Sequence, residues 1–230
     1  MISAEKVLSL PKLGKDDSFS FGCSRCGKCC RNREDILLTP LDLFKIARHL
    51  NKTITEILEE YCECYEGEHS QLPVVRIEPR EYRRTCPFAA KEGCRIHPVK
   101  PVVCALFPLG RMTDAMTKEF SYFLHSVSCG SRRQTRTVRQ WLDDFSILDE
   151  EAFTVMWHQK FGELSEILRD LYSRISFSHE AINSMLMVSL YISYDLNKDF
   201  TAQFTANCAE ALRLVKMIAE KLSETSGEGM

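Results

Sequence analysis

The sequence carries two groups of cysteines whose spacing suits metal ligation. The first group lies in the run FGCSRCGKCCR and consists of Cys23, Cys26, Cys29 and Cys30. The C-x2-C-x2-C spacing of the first three lets a curled chain aim successive sulfurs at one point. Consecutive steps of this kind are typical of iron–sulfur sites, whereas zinc sites usually present separated C-x2-C pairs. Adjacent side chains point in different directions, so we expect Cys30 to serve a second centre or a different position of the same centre.

The second group of cysteines is spread over a proline-rich segment later in the chain. It consists of Cys86, Cys94, Cys104 and, further on, Cys129. Prolines between them restrict the backbone, so the thiolates can be held in place with little ordering cost. The two groups together supply enough thiolates for two four-thiolate sites, or for one cluster and a spare set. The spacing does not sort the ligands between centres.

The other candidate ligands are open to simpler interpretations. Cys62, Cys64 and Cys208 are expected to act as small hydrophobic residues, because buried cysteine often does so and Cys208 shares a helix face with leucine and valine. His97 lies between two of the cysteines and is either a nitrogen ligand or a partly exposed loop histidine. The sequence identifies no catalytic residue.

Composition favours metal binding over disulfide bonding. Eleven cysteines in 230 residues are unusual for a chain with 44% hydrophobic residues, which is enough to build an ordinary core. The N-terminus lacks the basic start and apolar run of a secretory signal, so a cytoplasmic location is expected, and in a reducing compartment clustered thiols are more often metal ligands. The longest apolar stretch falls short of the roughly 18 residues that a membrane-spanning helix needs, so no membrane association is expected.

Positive charge is concentrated in the middle of the chain. The segment from Arg76 to Arg139 contains 13 Lys or Arg against 5 Asp or Glu, a local charge of +8. Because the whole chain has a net charge of −2, the rest of the chain carries −10. Such a segment can bind nucleic acid or can compensate the negative charge of metal-bound thiolates. Compensation is favoured, because the segment also holds the second cysteine group and lacks any RNP-like run.

These features predict an α+β, mainly α fold: an irregular, cysteine-organised metal module with short strands, followed by a C-terminal helical bundle or cap. The predicted domains are an N-terminal arm at 1–20, the metal-binding module at 21–133, a helical region at 134–222 and a disordered tail at 223–230. Within the module, helices are predicted to start at Thr39-Pro40 and at Thr53, and a strand near a sheet edge is predicted over 72–77. From about Thr135 onward the pattern predicts helices.

The ordered motifs resemble a known family. CSRCGKCCR, then ILLTPLD, then CPF…GCRIHPVKPVVCALFP resembles the CxxCxxCC or YkgJ-type cysteine-cluster family, described as zinc- or iron-chelating, over roughly residues 20–133. The resemblance implies that the eight cysteines of the two groups are metal ligands, with Cys129 at a later and weaker position. The chain departs from the family pattern at His97, Lys100 and Ala105, where tyrosine, arginine and arginine are usual.

Three functions follow as hypotheses. The first is a metal-binding protein, with an iron–sulfur cluster (4Fe-4S) favoured over zinc and with a role in electron transfer or redox sensing through a redox or protein partner. The second is a protein-modifying transferase, since some relatives are flagellin lysine N-methylases, although no G-x-G-x-x-G turn of a Rossmann-like site for S-adenosylmethionine is visible. The third is a zinc-stabilised protein-interaction module.

Overall fold

A computed structural model of the chain describes residues 9–80, 84–114, 117–174 and 179–227, with the side chains followed to residue 221. The fold is α+β and mainly α, as the sequence predicts. It divides into two compact units. We call Met1–Ile36 with Glu78–Ala152 the cysteine unit, and Leu37–Ile77 with Phe153–Met230 the helical unit.

The strands and helices are short in the first half of the chain and long in the second. The strands are β1 (Ser18–Gly22), β2 (Leu37–Leu38), β3 (Cys62–Glu66), β4 (Pro73–Ile77), β5 (Ala89–Ala90), β6 (Gly93–Cys94), β7 (Leu109–Thr113), β8 (Phe120–Leu124) and β9 (Ser131–Thr137). The helices are α1 (Pro40–Leu50), α2 (Ile54–Tyr61), α3 (Val102–Leu106), α4 (Val138–Asp143), α5 (Glu151–Arg174), α6 (Glu180–Met187) and α7 (Phe200–Gly227). Two 3₁₀ turns cover Lys28–Cys30 and His97–Val99, and a π-helical turn, Val188–Ile192, follows α6.

The cysteine unit is built around a small apolar core of aromatic and aliphatic side chains. Antiparallel β1 and β9 pair from Ser18–Thr137 onward, and alternation along β1 buries Phe19 and Phe21 against Trp141 of α4. The indole Nε1 of Trp141 donates hydrogen bonds to the carbonyl oxygens of Ala105 (3.1 Å) and Leu106 (3.2 Å). The core therefore anchors α3, the helix that carries Cys104.

The helical unit combines a three-stranded antiparallel sheet with five of the helices. The strand order is β2-β4-β3, and the turn after α6 packs on α1 and α7. In α1, Thr39 and Asp42 form a capping box and Pro40 takes the first helical position, while Thr53 and Glu56 form a second capping box at α2. Phe153, Trp157, Phe200 and Phe204 from α5 and α7 form an aromatic core.

The predicted starts of α1 and α2 are confirmed, whereas two other local predictions are wrong. The strand Pro73–Ile77 is central rather than near an edge, because β2 and β3 pair with it on either side. Proline at the first strand position needs no ladder hydrogen bond from its nitrogen, so Pro73 does not exclude a central strand. Thr135–Thr137 belongs to β9, because these residues pair with β1, and helix begins only at Val138.

The compact units interleave along the chain, whereas the predicted domains are consecutive ranges. The segment containing α1, α2 and β2–β4 packs with the C-terminal helices, because the sheet needs cover for its apolar residues. Residues 18–20 of the predicted arm form the start of β1, and the backbone of α7 runs through 223–227 of the predicted tail. Residues 1–8 and 228–230 lie outside the described residues. In the part of the chain that is described, no helix is long and apolar enough to cross a bilayer.

Candidate metal centre

The first cysteine group lies on a tight turn at the surface of the cysteine unit. Gly27 adopts a left-handed conformation (φ 70°) that reverses the chain between Cys26 and the 3₁₀ turn Lys28–Cys30. Cys23 and Cys26 are exposed, and Cys29 and Cys30 are half-buried. The two sulfurs of Cys29 and Cys30 are 3.9 Å apart, within thiol hydrogen-bonding distance.

The loop that carries Cys129 is held against this turn. Gly130 follows it at φ 75°, and a Cβ at Gly130 would lie 2.9 Å from the carbonyl oxygen of Gly22 and against the Phe21 ring. Only glycine permits this approach, which places Cys129 beside the first group. Two further contacts join the same segments: Lys28 Nζ donates to the Ser128 carbonyl at 3.2 Å, and the Gly130 N–H donates to the Cys26 sulfur.

The segment that carries the remaining cysteines is joined to this turn at Cys30. The backbone N–H of Cys86 donates to the carbonyl oxygen of Cys30 at 2.8 Å, and the N–H of Asn32 donates to the Arg84 carbonyl at 2.8 Å. Strands β5 and β6 then form a small hairpin in which Cys94 pairs with Ala89. Cys104 lies in the first turns of α3, which the core tryptophan anchors.

Electrostatic interactions divide the eight candidate ligands into two sets of four. The outer set is Cys23, Cys26, Cys29 and Cys129, because the thiol of Cys129 interacts with the other three. The inner set is Cys30, Cys86, Cys94 and Cys104, because Cys30 interacts with Cys86 and Cys94, and Cys104 interacts with the same two. The sets meet at Cys29, whose sulfur lies 3.9 Å from that of Cys30 and which also interacts electrostatically with Cys94 of the inner set. The structure thus brings the early and late cysteine groups together in one neighbourhood.

Two thiols of the outer set, those of Cys26 and Cys29, ionise more readily than an ordinary cysteine, whereas Cys129 and the four thiols of the inner set ionise less readily. The Lys28 N–H lowers the pKa of Cys26, and a hydrogen bond from the Cys30 thiol, together with Lys100 and Arg33, lowers the pKa of Cys29. That hydrogen bond and burial raise the pKa of Cys30. Burial raises the pKa of Cys86, Cys94, Cys104 and Cys129. The inner set therefore resists deprotonation, which a metal ion would have to overcome.

Lys100 supplies positive charge to both sets. Its ammonium interacts with the thiols of Cys23, Cys29, Cys94 and Cys104 and lies 3.7 Å from the centroid of the Phe145 ring. Burial lowers the pKa of Lys100, and the thiolates oppose that effect. The sequence pattern noted Lys100 only as a replacement for an arginine. That replacement was the signal by which the sequence could have identified Lys100 as part of the site, because lysine keeps a positive charge at a position where the family pattern has arginine.

The donor chemistry fits a thiophilic metal, although the thiols are not arranged as a finished site. All eight cysteines are free, and reduced sulfur is the ligand that zinc and iron–sulfur clusters prefer. Across the ranges that the structure describes, no three His, Cys, Asp or Glu side chains lie closely enough together to hold a metal ion. Metal binding would then draw the sulfurs together, in keeping with sites that form only as the metal binds.

The other cysteines lie in the helical unit, whereas His97 lies in the cysteine unit near Lys100. Cys62 and Cys208 are buried in the helical unit, as predicted, whereas Cys64 is exposed on β3, so its prediction as a core residue is wrong. Cys64 falls near the end of a strand whose last three residues are all exposed. His97 is half-buried, with its ring 5.7 Å from that of Phe145, and burial, Lys100 and Arg25 lower its pKa.

Comparison with known proteins gives one match. Residues 22–129 match the CxxCxxCC family model, described as a "Putative zinc- or iron-chelating domain". The matched range ends at Cys129 and encloses all eight cysteines of the outer and inner sets. No curated protein and no solved structure matches the chain.

Proposed function

Since residues 22–129 match a family described as zinc- or iron-chelating, we propose that the cysteine unit is an iron–sulfur module that serves electron transfer or redox sensing. Metal binding itself is supported by the family match. The preference for iron–sulfur rests on the C-x2-C-x2-C spacing of Cys23, Cys26 and Cys29. The observation that carries the proposal is the gathering of eight free thiols into two adjoining sets of four.

Each set would supply the four thiolates that one centre needs. Four cysteine ligands are the usual complement of a [4Fe–4S] cluster and also of a structural zinc ion. Cys30 would belong to the inner set, although it is adjacent to Cys29 of the outer set. This assignment explains why the fourth cysteine of the run breaks the x2 spacing.

A cluster held by the outer set would supply one-electron redox chemistry near the surface. The residues of this chain would tune that site. Lys100 and Arg33 contribute positive charge that stabilises thiolate at Cys29. The exposure of Cys23 and Cys26 leaves the outer set accessible to a redox partner. The left-handed turn at Gly27, whose φ of 70° favours glycine, positions the ligands.

Zinc in a structural role is the second candidate, and the inner set favours it. Its ligands come from the segment around a small hairpin, a short helix and the end of a turn, and burial raises the pKa of all four of its thiols. Structural zinc sites have all four coordination positions filled by protein ligands and contribute folding energy to the segments that they join. The inner set would then hold the proline-rich segment in place.

Anaerobic purification with iron, zinc and acid-labile sulfide analysis tests the proposal. Brown protein with iron and sulfide is expected, and colourless protein with zinc alone would contradict the iron–sulfur assignment. Cys26→Ser should remove the metal of the outer set only, and Cys94→Ser that of the inner set only. Cys208→Ser is the matched control, because this buried thiol lies in the helical unit. Equal metal loss in all three variants would refute the division into two sets.

A further inference from the structure

The helical unit contains a cleft that the metal-binding proposal does not use. It has a volume of about 900 Å³ and lies alongside β3 and α6. Its lining residues are Cys64, Tyr65, Glu66, Pro73, His179, Glu180, Asn183, Ser184, Met187 and Val188. A volume of this order is in the range of ligand sites.

One wall of the cleft is a strand with a free edge. The sheet order is β2-β4-β3, and, within the ranges given above, β3 pairs with β4 alone. Cys64, Tyr65 and Glu66 are exposed along this strand, with Tyr65 40% accessible to solvent. A free edge presents unpaired backbone groups and can accept an additional strand.

The other wall is one face of a helix. Glu180, Asn183, Ser184, Met187 and Val188 follow each other at helical spacing of three and four residues, so they form a continuous stripe. The stripe continues into the π-helical turn, where Val188 is 49% exposed. The stripe and the exposed residues of β3 line the same cleft, and α6 itself packs against β4. Proteins bind extended peptides at such free strand edges by β-strand addition.

The charge of the lining indicates the kind of peptide. The lining holds the carboxylates Glu66 and Glu180 and, among the described residues, no lysine or arginine. Arg76 lies beside the cleft, 5.5 Å from the Tyr65 ring, and pairs with Glu63 at 2.6 Å. The helical unit as a whole is acidic, with 11 Lys or Arg against 17 Asp or Glu. A cationic side chain therefore suits the cleft better than an acidic one.

The polar groups of the cleft are partly organised in advance. Asn183 Nδ2 donates to a Glu66 carboxylate oxygen, and His179 Nδ1 lies 3.6 Å from the other oxygen. The His179 ring stacks on that of Tyr172, with centroids 3.5 Å apart. Oδ1 of Asn183 is buried and, within the described chain, has no hydrogen-bond partner.

We propose that the cleft binds an extended segment of a partner protein that adds a strand to β3 and places a lysine or arginine side chain near Glu66. Backbone hydrogen bonds to β3 would supply affinity, and the stripe on α6 would receive alternate side chains. The proposal is independent of the metal-binding function, because every residue that carries it lies in the helical unit.

Fluorescence anisotropy with the full-length chain tests the proposal. The probe is a labelled peptide of alternating valine and lysine, compared with peptides in which glutamate replaces lysine or proline replaces valine. Saturable binding of the first peptide alone is expected, because glutamate reverses the charge and proline removes the backbone donors. Absence of saturation up to about 1 mM, or equal binding of all three peptides, would overturn the proposal.

Two variants and a matched control locate the binding. Ser184→Trp places a bulky side chain on the stripe, and Glu66→Lys reverses a charge of the cleft. Each variant should lower the affinity for the valine–lysine peptide by about tenfold or more. Glu166→Lys makes the same charge change at an exposed position on α5 and should leave affinity within about twofold. An equal loss in the control would show non-specific charge attraction and overturn the proposal.

Hydrogen exchange gives a readout that does not depend on the variants. The peptide should slow amide exchange in β3, from Cys62 to Glu66, because a new strand pairs with that edge. Slowed exchange elsewhere with none in β3 would overturn the proposal. Formation of a dimer without peptide, with protection of β3, would also overturn it, because the edge would then be occupied by a second copy of this chain.

Discussion

The hydrogen bonds of Trp141 make a sharp test of how the core positions the candidate metal ligands. Trp141→Phe keeps most of the ring but removes the Nε1 donor that serves the carbonyl oxygens of Ala105 and Leu106, at 3.1 and 3.2 Å. Trp141 is only 3% exposed, so water cannot easily replace the lost donor. Leaving a buried acceptor unsatisfied costs about 1–3 kcal/mol, which corresponds to an increase of roughly 5- to 150-fold in local opening.

The assay is amide hydrogen exchange of α3, combined with the rate at which a chelator removes metal. Faster exchange in α3 and faster metal loss from the inner set are expected, because Cys104 lies in this helix. Trp157→Phe is the matched control: this indole is also buried, but it lies in the aromatic core of the helical unit. Unchanged α3 exchange in Trp141→Phe, or an equal change in Trp157→Phe, would refute the claim that the core tryptophan holds Cys104 in place.

Three further predictions concern the thiols and the loop beside them. Gly130→Ala should destabilise the cysteine unit by about 1–3 kcal/mol, because the φ of 75° is strained for alanine and the nearby Gly22 oxygen leaves no room for a Cβ. Thermal unfolding measures this loss, and a chelator titration should show weaker metal retention by the outer set. Gly162→Ala is the matched control and should not destabilise the chain, because a Cβ at this position on α5 would have no other atom within 4 Å. In metal-free protein at neutral pH, Cys29 should react with iodoacetamide before Cys104. The pKa of Cys29 is lowered, so more of this thiol is thiolate at neutral pH, whereas burial raises the pKa of Cys104. Mass spectrometry that showed the reverse order of alkylation would contradict this prediction. Lys100→Met should slow alkylation of Cys29 by up to about tenfold, because losing the ammonium raises the pKa of that thiol; an unchanged rate would show that Lys100 does not act on it.

Local sequence signals predicted the parts of the fold that depend on near neighbours. Thr39-Pro40 and Thr53 mark the starts of α1 and α2 because capping is decided within four residues. The strand at Pro73–Ile77 was predicted, but its central place was not, since the partners of a strand come from distant segments. For the same reason the pairing of β1 with β9, which moves the start of the helix from about Thr135 to Val138, had no signal in the sequence.

The candidate site shows the same division between local and distant information. The identity of the eight cysteines as candidates follows from their clustering and from the family resemblance. Their sorting into an outer and an inner set does not, because it depends on the backbone hydrogen bond between Cys86 and Cys30 and on the approach of Gly130 to Gly22. The cleft beside β3 was also unpredictable, since it joins residues more than a hundred positions apart.

The interleaving of the two units has a practical consequence for anyone who expresses the family-matched region by itself. A fragment of 22–129 would contain α1, α2 and β2–β4 but none of α5, α6 or α7, which share the helical unit with them. Buried side chains such as Leu43, Phe44 and Ile46 would lose part of their cover. Strand β1 would be cut short at Gly22 and would have no β9 to pair with. Such a fragment is expected to be prone to aggregation, and failure to load it with metal would say nothing about the ligands.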